Sequence, residues 1–233
     1  MDIILIPGFW LDGSSWDAVA APLRSAGHTV HALTLPGMES VSADRSGIGL
    51  RDHVDAVIAV VDSLPGTVVL VGHSGGGAIA HAVADARPDR IARVVYVDSG
   101  PLGNGDVIND ELPELNGEAP LPDWSWFEDG YLVDLTDDLR EKFRAMSIPE
   151  PLGVASDKQV LGDERRYDVP VTVIACQFPT GIMREMIAKD HPSVAELARI
   201  RDYELVDLPT GHWPQLTKPA ELATAILAAV DRP

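Results

Sequence analysis

"VVLVGHSGGGAIAH", residues 68–81, is a run of branched apolar residues that halts at a cluster of glycines around one serine. A strand apolar on both faces belongs in the middle of a parallel sheet covered by helices. The residues after the glycines, "GAIAHAVADA" (77–86), have helical spacing. Strand, tight turn and helix therefore meet at Ser74. Two chemistries use such a turn: a nucleophile on a strained elbow, and a glycine-rich cradle for phosphate.

Working outward, strand-length apolar runs recur at 3–6, 28–35, 67–71, 92–97, 169–175 and 203–208. Between them, helical spacing is clearest at 16–27, 50–64, 77–86 and 219–230. The first of these ends in Gly27, a natural helix stop, and the last opens with Pro219 in its first turn. Such alternation predicts an α/β architecture with a doubly wound, mostly parallel sheet. From Pro101 to Asp168 the rhythm fails: glycines, prolines and acids dominate, with a weak helical pattern only at 136–146. A structureless loop of that length is unusual in a compact domain. The expected organisation is a core of 1–100 and 169–233 carrying a small inserted lid, 101–168.

The 233 residues suit one domain of this kind, and apolar residues (45%) balance charged ones (23%) as in ordinary globular proteins. Thirty-six acidic against 18 basic residues give a formal charge of −18, which repels phosphate backbones and argues against nucleic acid as a partner. The lone cysteine, Cys176, rules out an internal disulfide and a cysteine-built zinc site. "MDIILIP" has no basic region ahead of its apolar run and is too short to span a bilayer. A cytoplasmic protein with no membrane partner, no metal and no cofactor is expected.

Gly72-His73-Ser74-Gly75-Gly76 fits G-x-S-x-G, in the strand-to-helix context that the nucleophile elbow requires. Side chains two residues either side of the serine would collide with the neighbouring strand and helix, which accounts for the glycines. The helix start also offers free N–H groups to a developing anion. The rival has its own support: Gly75-Gly76-Gly77-Ala78-Ile79-Ala80 fits the loose dinucleotide pattern G-x-G-x-x-A, and Asp98 follows at the end of the next strand. Against it, two strand–helix pairs precede the motif, whereas that fingerprint sits on the first turn of its unit. It also leaves the C-terminal histidine without a role.

A serine hydroxyl needs a base at neutral pH. Of the seven histidines, which include His191, His28 and His31 flank or sit in an early strand, His53 and His81 ride helices, and His73 sits within the elbow. His212 differs, lying in "LPTGHWPQLTKP" on the loop after the last strand, where sites on such sheets form.

At this point the chain resembles the α/β-hydrolase superfamily, in particular small lidded serine esterases and the methylesterase/hydroxynitrile-lyase branch. The resemblance rests on Ile6-Pro7-Gly8-Phe9-Trp10, Leu35-Pro36-Gly37, Gly72 to Gly76, and Thr210-Gly211-His212. It implies that the Phe9 and Gly75 amides form an oxyanion hole, although Pro7 stands where the family usually has histidine. It also implies a triad acid after the strand at 169–175, where this chain reads Cys176-Gln177-Phe178-Pro179 with no carboxylate. Some relatives carry the acid after the preceding strand, which here gives Asp98 in "VVYVDSG", with Glu185 and Asp207 as fallbacks. Asp98 also has a plainer explanation as a turn residue before Ser99 and Gly100. The order Ser74, Asp98, His212 keeps the family's serine–acid–histidine sequence.

Trp10, Trp124, Trp126, Phe127 and Trp213 fall where a pocket would have its edges, and ordinary lid core explains them equally well. The expected function is hydrolysis of a small, largely apolar ester or lactone through an acyl-enzyme. A lyase or cyclase using the same Ser–His pair, a dinucleotide-dependent oxidoreductase, and a non-catalytic ligand sensor are the alternatives.

Overall fold

The computed structural model describes residues 1–232. In chain order the strands are β1 (Asp2–Ile6), β2 (Thr29–Ala32), β3 (Val68–His73), β4 (Ile91–Val97), β5 (Glu118–Ala119), β6 (Glu150–Pro151), β7 (Val171–Ala175) and β8 (Tyr203–Asp207). The helices are α1 (Asp17–Ser25), α2 (Leu50–Ser63), α3 (Gly75–Ala86), α4 (Asp137–Met146), α5 (Leu152–Ser156), α6 (Thr180–Ala188), α7 (Ala195–Arg199), α8 (Pro214–Thr217) and α9 (Pro219–Val230).

Six strands form one parallel sheet in the order β2-β1-β3-β4-β7-β8. Their side chains divide by parity. Ile4, Ile6, Leu70, Val94 and Tyr96 face a core shared with Val54, Val57 and Val61 of α2 and with Ile79 and Val83 of α3. Ile3, Leu5, Val69, Val71 and Val95 face the opposite core, built with Trp16, Val19 and Leu23 near α1 and Leu222 and Ile226 of α9. Both faces of the central strands are thus buried, which is why they read as continuous apolar runs.

Local chemistry sets the element ends. Gly27, at φ +94, closes α1: its N–H donates to Arg24 O at 3.0 Å and His28 N–H donates to Leu23 O at 3.3 Å, the paired bonds of a Schellman stop. The early run at 28–35 is strand only over Thr29–Ala32, because Pro36 and the turn at Gly37 take the chain off the sheet. Sequence periodicity did not mark α6, whose interior carries Gly181 and whose apolar residues leave Ile182 48% exposed.

The chain leaves β1 for β2 on one side, then returns across β1 to place β3 on the other. That reversal opens a crevice at the C-terminal ends of β1 and β3, the position where open α/β sheets bind ligands. The segment 101–168 carries α4, α5, several 3-10 turns and the two-residue antiparallel pair β5–β6. Among the described residues no helix is long and apolar enough to cross a membrane, and no cluster of three or more His, Cys, Asp or Glu is placed to hold a metal ion.

The tightest packing lies at the β3–α3 turn. A Cβ on Gly72 would sit 2.4 Å from Gly76 O, and one on Gly76 would sit 2.6 Å from both Ile6 O and Pro7 O. These are backbone atoms and cannot swing aside. Gly76→Ala is therefore expected to destabilise the fold by about 3 kcal/mol or more, at or above the usual overpacking range, read as a lower urea midpoint with unchanged slope. An unchanged midpoint would show that β1 and α3 separate freely.

Candidate active site

Ser74 links β3 to α3 with φ 52 and ψ −123, a conformation that L-residues rarely adopt. Its carbonyl is tied down by Ser99 Oγ–H at 2.6 Å and by Gly77 N–H at 2.9 Å, and its own N–H donates to Val97 O at 3.2 Å. The side chain projects above the sheet at the start of α3, where the Gly75 N–H has no intrahelical acceptor.

His212 comes from the loop after β8. Its Nε2 lies 2.8 Å from Ser74 Oγ, and its Nδ1 lies 2.6 Å from Asp98 Oδ2. The carboxylate can only accept, so Nδ1 carries the ring hydrogen and the Nε2 lone pair receives the serine proton. Asp98 follows β4, also at positive φ (43), and its other oxygen accepts Cys176 N–H at 2.9 Å and Gln177 N–H at 3.0 Å. Burial alone would raise the Asp98 pKa. The His212 hydrogen bond and charge, with the two backbone N–H donors, outweigh it and hold the carboxyl below its usual value. Asp207 is engaged elsewhere, accepting from Thr180 N and Thr180 Oγ1 at 2.7 Å each, and Glu185 is exposed beside Lys189.

Ser74, Asp98 and His212 thus converge from the ends of β3, β4 and β8, with Phe9 and Gly75 beside them across the β1–β3 crevice. Asp98 has both oxygens committed, and Gly76 packs against β1 backbone, so the dinucleotide alternative finds neither a free ribose acceptor nor space at the glycines.

Several supports carry no local signature in the sequence. His73, fully buried, has its Nε2 2.6 Å from His212 O and its Nδ1 3.2 Å from the Gln215 amide. Nε2–H donates to that carbonyl and Nδ1 accepts, so the ring is neutral. Burial, reinforced by the charge of His212, pushes its pKa down to about 3. Residues from 101–168 brace the other side: Tyr131 O accepts His212 N–H at 2.9 Å, Val133 O accepts Gly211 N–H at 3.0 Å, and the Tyr131 ring lies 5.0 Å from the His212 ring. Cys176 is buried and its thiol pushed up by burial and the nearby Asp98, so it is a poor nucleophile.

Two cavities open beside the triad. One of about 200 Å³ is lined by Ser74, Gly75, Ala78, Leu102 and Ile108. The other, about 400 Å³, lies on the Asp98–His212 side and is lined largely by apolar residues, among them Tyr131, Phe178, Met183, Met186 and Leu197. The five aromatics marked in the sequence lie elsewhere. Trp10, Trp124, Phe127 and Trp213 pack edge-on and tilted with centroids 5.4–6.1 Å apart, joining Trp124, Phe127 and Phe143 of 101–168 to Trp10 and Trp213 of the flanking chain. Trp126 stands 41% exposed against Phe127. None of the five lines either cavity.

Comparison with known proteins agrees with this architecture. Residues 3–225 match the model of the alpha/beta hydrolase family. A pyrethroid hydrolase from Sphingobium wenxiniae is 33% identical over 263 aligned positions, which cover 100% of this chain and 88% of that protein. A carbendazim hydrolyzing esterase from a Nocardioides species is 31% identical over 115 residues, 48% of this chain. The matched stretches span about half the length of that esterase (48%) and of an acetyltransferase component from Pseudomonas putida (47%). Among solved structures, an extracellular alpha/beta-hydrolase from a Paenibacillus species superposes with a TM-score of 0.78 at 22% identity, covering 98% of each chain. With the family model spanning nearly its whole length and a full-length relative at one-third identity, this chain belongs to the alpha/beta hydrolase family.

Proposed function

We propose that the protein is a serine hydrolase that cleaves a small, largely apolar carboxylic ester or lactone through an acyl-enzyme. The observation that carries this reading is the continuous Ser74–His212–Asp98 hydrogen-bond chain, 2.8 and 2.6 Å, set beside the start of α3. The relatives named for esterase and pyrethroid hydrolase activity support an ester as substrate.

Ser74 Oγ attacks the carbonyl carbon while its proton passes to His212 Nε2. Asp98 holds the imidazole in the tautomer that can accept it and steadies the imidazolium that forms. The Phe9 and Gly75 N–H groups receive the oxyanion, which a low-dielectric site makes worth several kcal/mol. Collapse breaks the bond to the alkoxy oxygen, which takes the proton from His212. Water then gives a proton to Nε2 and its oxygen to the acyl carbon; the second collapse breaks the bond to Ser74 Oγ, which takes that proton back from Nε2 as the acid leaves. No step calls for a metal or organic cofactor.

The 101–168 segment acts as the lid in this reading, supported by the Tyr131 and Val133 carbonyls that brace the His212 loop. Cytoplasmic residence is proposed from the single, buried cysteine.

A fluorophosphonate probe is expected to label Ser74, and Ser74→Ala to abolish both labelling and nitrophenyl ester turnover. Undiminished turnover by Ser74→Ala would end the proposal. Asp98→Asn should fold normally and lose about 10⁴ in kcat through the wrong histidine tautomer; a loss under tenfold would remove Asp98 from the triad. Met186→Trp, which narrows the 400 Å³ chamber, should depress kcat/KM for long-chain esters at least tenfold more than for acetate. Equal losses on both would mean that this chamber holds no part of the substrate.

A further inference from the structure

Behind Phe9 and Gly75 lies a small cavity of about 10 Å³, room for about one water, whose walls include His53, Glu150 and Gly76. Glu150 is 3% exposed and His53 1% exposed, so a carboxyl and an imidazole stand together in an apolar interior. The mechanism above uses neither.

Their hydrogen bonds define their states. His53 Nε2 lies 2.9 Å from Pro36 O, a carbonyl that can only accept, so Nε2 carries the hydrogen. Nδ1 is then an acceptor, buried and without a partner. Glu150 Oε1 is 3.9 Å from that Nδ1, and Glu150 Oε2 accepts Trp10 N–H at 3.3 Å. Burial pushes the Glu150 carboxyl up to about 8, against the pull of the Trp10 N–H and the Arg45 guanidinium. Burial pushes His53 down, against the Pro36 bond and the Asp52 and Glu39 carboxylates. At neutral pH the pair is therefore uncharged, with its one titratable proton on Glu150 facing the His53 acceptor.

Glu150 matters because of what it holds. Trp10 sits at φ 65, a conformation that strains a bulky residue by about 1–3 kcal/mol. Three bonds from two stretches of 101–168 keep it there: the Glu150 carboxyl on its N–H, Ala119 O on its indole N–H at 3.0 Å, and Ile148 N–H on its carbonyl at 3.0 Å. The Phe9 amide is one residue upstream on the same turn. Among the described residues Arg45 is the cation that acts on Glu150, and its guanidinium is shared with Glu118 Oε1 at 3.1 Å and the Val41, Ala43 and Ser40 carbonyls.

We infer that Glu150 is a positioning residue of the oxyanion site: as a neutral acid beside His53 it clamps the Phe9–Trp10 turn, and losing its proton puts a negative charge behind the amides that receive the oxyanion. The inference rests on the serine-hydrolase reading of Ser74. Two like charges in a poorly solvated region repel strongly, and only the transition state carries the second, so the effect falls on kcat rather than KM.

The test is the pH dependence of kcat on a nitrophenyl ester for the parent, Glu150→Gln and Glu150→Ala, with Ser74→Ala as background. The parent should lose about tenfold or more in kcat between pH 7.5 and 9.5, as one ionisation near pH 8 requires. Glu150→Gln, which keeps an acceptor for Trp10 and cannot ionise, should lose under threefold over that range. Glu150→Ala should drop kcat at pH 7 by about tenfold or more, with Glu150→Gln recovering most of it and KM little changed. A second readout needs no turnover. An acid whose folded pKa lies above its unfolded value loses its stabilising effect as pH rises through that window, here from its ordinary 4.5 to about 8. The parent Tm should accordingly fall relative to Glu150→Gln across this range. A Glu150→Gln alkaline limb matching the parent's, or Tm values that run parallel, would overturn the inference. Activity persisting in Ser74→Ala would instead overturn the reading beneath it.

Discussion

A serine forced to positive φ between a strand and a helix is the constraint on which the rest depends. Ser74 can adopt that conformation only because β1, β3 and α3 approach closely enough to leave no room for a Cβ at Gly72 or Gly76. The strain is held by bonds on every side: Val97 O on its N–H, and Ser99 Oγ–H and Gly77 N–H on its carbonyl. Val97 and Gly77 belong to β4 and α3, and Ser99 follows directly on the end of β4. The position of the hydroxyl is therefore a property of the whole parallel array and not of a flexible loop.

The second theme is that the inserted segment reaches the chemistry by main-chain contacts. Tyr131 and Val133 carbonyls receive the Gly211 and His212 amides on one side of the site, while Ala119, Ile148 and Glu150 fix Trp10 on the other. His73 completes the frame from below, donating to the carbonyl of His212 while the Gln215 amide holds the other nitrogen of its ring. The His212 loop and the Phe9–Trp10 turn are thus both braced by residues far from them in the chain, and both braces pass through 101–168. Its aromatic residues pack on each other and on Trp213, and through them 101–168 joins the core on the α2–α3 face of the sheet.

Much of this was legible in the sequence, and the reasons differ by element. The four central strands stand out because burial on both faces leaves no polar alternation to blur them, while the edge strands β2 and β8 are only partly buried and are marked by their place in the strand–helix alternation. Ser74 is marked by glycines whose absence of side chains is sterically required, and His212 by its place after the last strand. Asp98 was legible through its position in the chain order, although what makes it a good carboxylate site, two amides from after β7, has no local pattern. The aromatic residues were ambiguous because a side chain that lines a pocket and one that fills a small core have the same composition. Helix α6 was hidden by Gly181 and by an apolar pattern that serves a cavity wall through Met183 and Met186. Glu150 and His53 were beyond sequence reasoning, since nothing in either neighbourhood says that the two meet.

The strand order has a further consequence for how the molecule is made. The residues of the candidate site sit at the ends of β1, β3, β4 and β8, and every pairing in this sheet is parallel, so each closes a long loop before it is rewarded by contacts. Half-assembled chains hold the hydroxyl and the imidazole on surfaces that have not yet met. Recovery of turnover after dilution from denaturant should then lag the return of helical signal, making catalysis a reporter of the moment the C-terminal edge docks.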